Sequence, residues 1–173
     1  MIRLVRMVRE TLSRYRAIRN GDKIARLLSP AFFFFLGPQG KMDERMQADE
    51  FIISYMYGYF GFMMTNGLGI TDDAEKVITL VACYDRFFPG EGKRLVALCT
   101  SRVEAGNEPF IRGATKAVEE MTQAELAIAG TSNPDDEKTV LREIDKSGAD
   151  IAWPSLRKHL LRNYVAPGRH TET

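Results

Sequence analysis

Side chains that hold metals or move protons near neutral pH are scarce in this sequence. Its 173 residues include two histidines, two cysteines and one tryptophan. His159 and His170 stand apart, with no HExxH, no paired ExxH and no EF-hand loop. Ligand count therefore excludes a ferritin-like di-iron centre and the common helical zinc sites. Cys83 and Cys99 have no CxxC and no histidine at ligand spacing, so each reads as a small apolar helix residue. No metal and no cofactor is expected. A serine or cysteine nucleophile needs a base, and His159, at the edge of an apolar helix face beside Leu156 and Leu160, reads as a structural histidine. Gly67-Leu68-Gly69 follows a helix instead of a strand and precedes Asp72 and Asp73, which would repel a phosphate. It is a helix–helix turn.

Charge of one sign is also missing. Lys and Arg number 24 against 23 Asp and Glu, for a net charge of +1. This excludes a uniformly basic nucleic-acid binder. No secretory core is present, because Arg interrupts every apolar run before residue 27, and a cytoplasmic location is expected. The one long uncharged run, residues 51–70, contains three Tyr and four Gly and is preceded by Asp43, Glu44, Asp49 and Glu50. It suits the centre of a helical bundle better than a membrane span.

What is present is helical periodicity almost throughout. Residues 2–19 place Leu4, Val5, Met7, Val8, Leu12, Tyr15 and Ile18 on one side and most of six Arg on the other, an amphipathic helix with a basic outer face. A short helix over 22–28 follows, then four consecutive Phe that read as an apolar plug under a loop. The central helix is expected over 43–66. Further helices are expected over 72–88 (capped by Thr71), 92–105, 108–129 (capped by Asn107), 134–146 and 154–165. No sheet pattern and no repeat emerges. The fold expected is all-α, one irregular or orthogonal bundle of about six to seven helices around a buried central helix. Residues 1–30 form a basic arm, 41–130 an acidic core, 131–165 a C-terminal helical pair and 166–173 a frayed tail. Residues 1–40 carry eight basic and two acidic side chains, and 41–130 carry nine and fourteen. The cheapest account of that asymmetry is an arm lying across the body.

Charges within apolar faces are the chemical oddity. Asp85 falls among Val77, Ile78, Val81, Tyr84 and Phe88. Arg102 falls among Leu95, Leu98 and Cys99. Glu125 falls among Phe110, Ala114, Val118, Met121 and Ile128. Buried charges must pair or reach water, so an Asp85–Arg102–Glu125 ion network across three helices is expected.

A helical chain without catalytic equipment has the body of a dedicated binding protein, such as an inhibitor or an immunity protein that neutralises a toxin. The expected function is therefore non-enzymatic protein binding by occlusion. The acidic middle suggests a basic protein partner met by Glu104, Glu108, Glu119 and Glu120, with Arg3, Arg6 and Arg14 as contacts on the first helix. No nucleic acid is expected, a membrane is disfavoured, and a homo-oligomer is compatible with the sequence. Two alternatives stand beside this reading. One is a ligand-binding or enzymatic bundle with a polar pocket at Asp85, Arg102 and Glu125. The other is a peripheral membrane protein using the Arg-rich first helix and Phe32–Phe35.

Overall fold

The computed structural model describes residues 2–35, 42–129 and 153–164, with side chains at 10–33, 35, 42–126 and 153–164. The expected helix over 134–146, the tail, His170, and the side chains of Arg3 and Arg6 lie outside these. The fold is an all-α helical bundle with no strand among the described residues. Its helices are α1 (Ile2–Phe32), α2 (Glu50–Phe62), α3 (Asp73–Phe87), α4 (Gly92–Glu104), α5 (Glu108–Ala129) and α6 (Pro154–Tyr164).

Local chemistry sets most of the boundaries. The Asp49, Asp72 and Asn107 side chains accept from the backbone N–H of Ile52, Glu75 and Phe110 at 3.1, 2.7 and 2.9 Å, each satisfying a donor that the first helical turn leaves open. The cap of α3 is thus Asp72, not Thr71. The central helix is shorter than 43–66. Residues Glu44–Gln47 form a separate 3-10 turn started by Asp43, α2 begins only after Asp49, and a π turn, Met63–Gly67, ends it. Gly90 and Gly106, with φ of 85° and 63°, supply the left-handed turns after α3 and α4.

Residues 2–19 and 22–28 are one helix instead of two. Asn20-Gly21 does not break it, because Gly21 is where α1 crosses α3. A Cβ there would lie 2.6 Å from both the Ala82 Cβ and the Thr79 carbonyl oxygen. Ala17, Gly21 and Ala25, one turn apart, are all buried and let the two backbones approach. The helix continues through Pro30 for its last residues. The phenylalanine run is accordingly a helix end and a 3-10 turn: Phe32 is buried with its ring 5.2 Å from that of Phe87, while Phe33 is exposed.

A second close crossing joins α2 to α5. A Cβ on Gly58 would fall 2.1 Å from the Ala114 carbonyl oxygen, and one on Gly113 would fall 2.0 Å from Ser54 Oγ. Around this crossing the uncharged segment supplies the middle of the core, with Ile52, Tyr55, Met56, Tyr59 and Phe60 essentially inaccessible. No helix among the described residues is long and apolar enough to cross a membrane. The basic first helix does lie against the acidic body: Arg16 makes a two-point contact with buried Glu75, at 3.1 and 2.6 Å. From Ala17 onward α1 is a packed element and not an arm.

Candidate functional site

The three charged residues expected to form one network are kept apart. Asp85 accepts from the Gly92 N–H at 2.7 Å, tying α3 to the start of α4. Arg102 faces Glu50 at 3.6 Å. Glu125 is half-buried on α5, where burial raises its carboxyl above the usual range. Among the described residues no ion pair joins any two of the three, so a shared polar pocket has no geometric basis. The cause is helix rotation. The buried face of α3 is Glu75, Thr79, Leu80, Cys83, Tyr84 and Phe87, more than a third of a turn from the one expected, and Val77 is 53% exposed. The buried face of α5 keeps the expected Phe110 and Met121 but extends toward Gly113, Ala117, Glu120 and Ala124, leaving Val118 outside.

Glu120 is not a surface contact. It is buried, and its carboxylate accepts from Tyr55 Oη at 2.7 Å, from Ser155 Oγ, and from the Ser155 N–H at 3.4 Å. It therefore caps α6 from a distance while tying it to α2, and burial together with Glu120 pushes the Tyr55 phenol up. Glu104, Glu108 and Glu119 are exposed. However, Glu119 pairs with Lys116 at 3.4 Å, and Glu108 and Glu119 share their surface with Arg112 and Lys116. That face carries both signs.

A second polar node fixes the other end of α6. The Asp49 carboxylate, besides capping α2, accepts from His159 Nε2 and Tyr164 Oη, both at 2.8 Å. The His159 ring stacks on Phe51 at 4.5 Å. His159 is thus a structural tether. Burial pushes the Asp49 carboxyl up, but the hydrogen bonds from His159, the Ile52 N–H and Tyr164 outweigh it, and Asp49 titrates below the ordinary aspartate range. A carboxyl whose folded pKa is depressed contributes stability above its unfolded value, and that contribution is lost as pH falls through the folded value. Asp49→Asn is therefore expected to be less stable than the native chain at neutral pH. The gap should narrow once pH drops below about 4; urea midpoints measured from pH 7 to pH 3 would show it, and a gap constant across that range would exclude the linkage.

The thiols are inert by position. Cys83 donates to the Gly21 carbonyl, and Cys99 lies 3.3 Å from Tyr84 Oη, which also bonds the Ile53 carbonyl. Burial pushes Cys99 up to about 11 and Cys83 higher still, away from the thiolate that reactivity requires. Among the described residues no three His, Cys, Asp or Glu side chains are grouped to hold a metal ion.

What the helix rotations leave outside is a groove of about 1090 Å³ between α1, α3 and α4. Its apolar lining includes Tyr15 and Ile18 from α1, Val77, Ile78 and Val81 from α3, and Val96 from α4. Tyr15, Ile18 and Val77 are 65%, 47% and 53% exposed, and Leu12, one turn before on α1, extends the strip. The rim is cationic, with Arg14 and Arg19 on one side and Arg86 and Lys93 on the other. Its two carboxylates are engaged: Asp22 with Arg26 at 2.7 Å and Arg86 at 3.8 Å, and Asp85 with the Gly92 N–H. Arg14, Arg19 and Lys93 have no carboxylate partner among the described residues. Of the expected contacts with described side chains, Arg14 borders this groove and the glutamates do not. The rest of it was missed because Val77 and Ile78 read as core. No protein-family model, curated protein or solved structure matches this chain.

Proposed function

We propose that this chain is a protein-binding module that acts by occlusion, seating a helical segment of its partner in the α1/α3/α4 groove. The observation that carries the reading is the exposure of Tyr15, Ile18 and Val77 along one open apolar channel. Contiguous exposed apolar surface with a polar rim is the mark of an interaction site. A groove between helices accepts a further helix by the same packing that joins helices in a core. Tyr15 and the rim arginines are the residue types in which binding energy concentrates. An inhibitor, including one of the immunity type, is the form of this function that needs no chemistry from the chain itself.

The test is a photo-crosslinking amino acid placed at Val77 and, separately, at Glu104, in the native host. One discrete adduct from position 77, lost when Ile18→Asp is added, is the expected result. An adduct from position 104 alone would return the contact to the acidic surface and overturn the groove assignment.

A further inference from the structure

We propose that the segment taken up by the groove is an acidic amphipathic helix of another protein; this rests on the groove assignment above. Apolar side chains of α1 and α3 form the floor, with Ile18 and Val77 offering knobs to a row of apolar residues spaced three and four apart. Charge decides what must flank that row. Arg14 and Arg19 stand along one rim, and Lys93 on α4 stands along the other. None of these three is neutralised within the described residues; Asp22 is paired with Arg26 and Arg86, and Asp85, which accepts from the Gly92 N–H, sets one negative charge against the three cations. An incoming helix with Glu or Asp beside its apolar stripe would meet cations on both sides, while one flanked by Lys or Arg would meet like charge. Between α3 and α4 the lining reaches buried Val96, a depth that suits a rod better than the flat face of a bilayer.

The test uses the full chain and two fluorescent peptides of about 18 residues, roughly 27 Å of helix. Both carry Leu and Ile on one face, flanked by Glu in one peptide and by Lys in the other. The Glu peptide is expected to bind at least about tenfold tighter at low salt, with the advantage shrinking as ionic strength rises. Arg14→Glu with Lys93→Glu should remove or invert that preference. Val77→Asp, at an exposed position that leaves the fold intact by circular dichroism, should abolish binding of both peptides. A Lys peptide that binds as well as the Glu peptide, with both lost in Val77→Asp, would overturn the acidic partner and leave the groove standing. Absence of binding by either peptide, or binding indifferent to Val77→Asp, would overturn the groove assignment as well. Two further measurements address other occupants. Co-sedimentation with vesicles of phosphatidylcholine and phosphatidylglycerol that is lost in Val77→Asp would replace the partner helix by a bilayer. A dimer of the unmixed protein that Val77→Asp dissociates would replace it by a second copy.

Discussion

Gly58→Ala is expected to destabilise the protein by about 2 kcal/mol or more, whereas Gly61→Ala in the same helix should stabilise it by about 0.5–1 kcal/mol. Both substitutions gain the same helix propensity and restrict the unfolded chain equally. They differ only in what the new methyl meets. At Gly58 it would fall 2.1 Å from the Ala114 carbonyl oxygen and 2.8 Å from the Ala114 Cα, while at Gly61 no atom lies within 4 Å. The obstacle at Gly58 is backbone, which can give way only by pushing α5 off α2. Urea denaturation of the two variants would read the difference directly. Equal, small effects would mean that α2 and α5 do not touch at this crossing, and the burial of Ser54 and Tyr55 against α5 would have to be redrawn.

Glu120→Ala should be comparably severe, at about 3 kcal/mol. The substitution removes the acceptor of the Tyr55 hydroxyl, which is fully buried, and of the Ser155 hydroxyl and N–H at the head of α6. A buried donor without an acceptor loses its hydration for nothing in return. Adding Tyr55→Phe to Glu120→Ala should recover part of the loss, since it deletes one of the orphaned donors. Amide exchange in α6 should accelerate more than in α3, because the hydrogen bonds of Glu120 run to Tyr55 on α2 and Ser155 on α6. A cost below about 0.5 kcal/mol, ordinary for a surface glutamate, would place this carboxylate in solvent and return it to the set of partner contacts.

The contrast between Glu120 and its neighbour Glu119 shows where reading along the chain stops. Both are glutamates one residue apart on a helix of strong periodicity. One is exposed beside Lys116, and the other, 3.9 Å from the same lysine, is the buried hub of three elements. Nothing in their local spacing separates them. A signal was present in the small residues: Ser54 and Gly58, Gly113 and Ala117, and Ala17, Gly21 and Ala25 each recur at one-turn spacing and mark the faces along which helices touch. The face of Gly113 and Ala117 is also the face of Glu120. Reading bulk as burial directs attention instead to Val118 on α5, and to Val77 and Ile78 on α3.

Helical class and most element boundaries were written in the sequence, because caps and stops are local chemistry. Asn107 and Gly106 act on backbone groups only a few residues away and need no tertiary partner. The central place of residues 51–64 was legible for a similar reason, since an uncharged aromatic segment among helices of mixed charge is most favourably placed in the interior. Which side of each helix turns inward was decided by the assembled structure. Helices approach closely where their side chains are smallest, so glycine and alanine took the contacts at the α1/α3 and α2/α5 crossings. Larger apolar residues, Tyr15, Ile18 and Val77 among them, were left facing outward. The groove assigned to the partner is the product of that rotation, a property of packing between distant segments that no periodicity within one helix encodes.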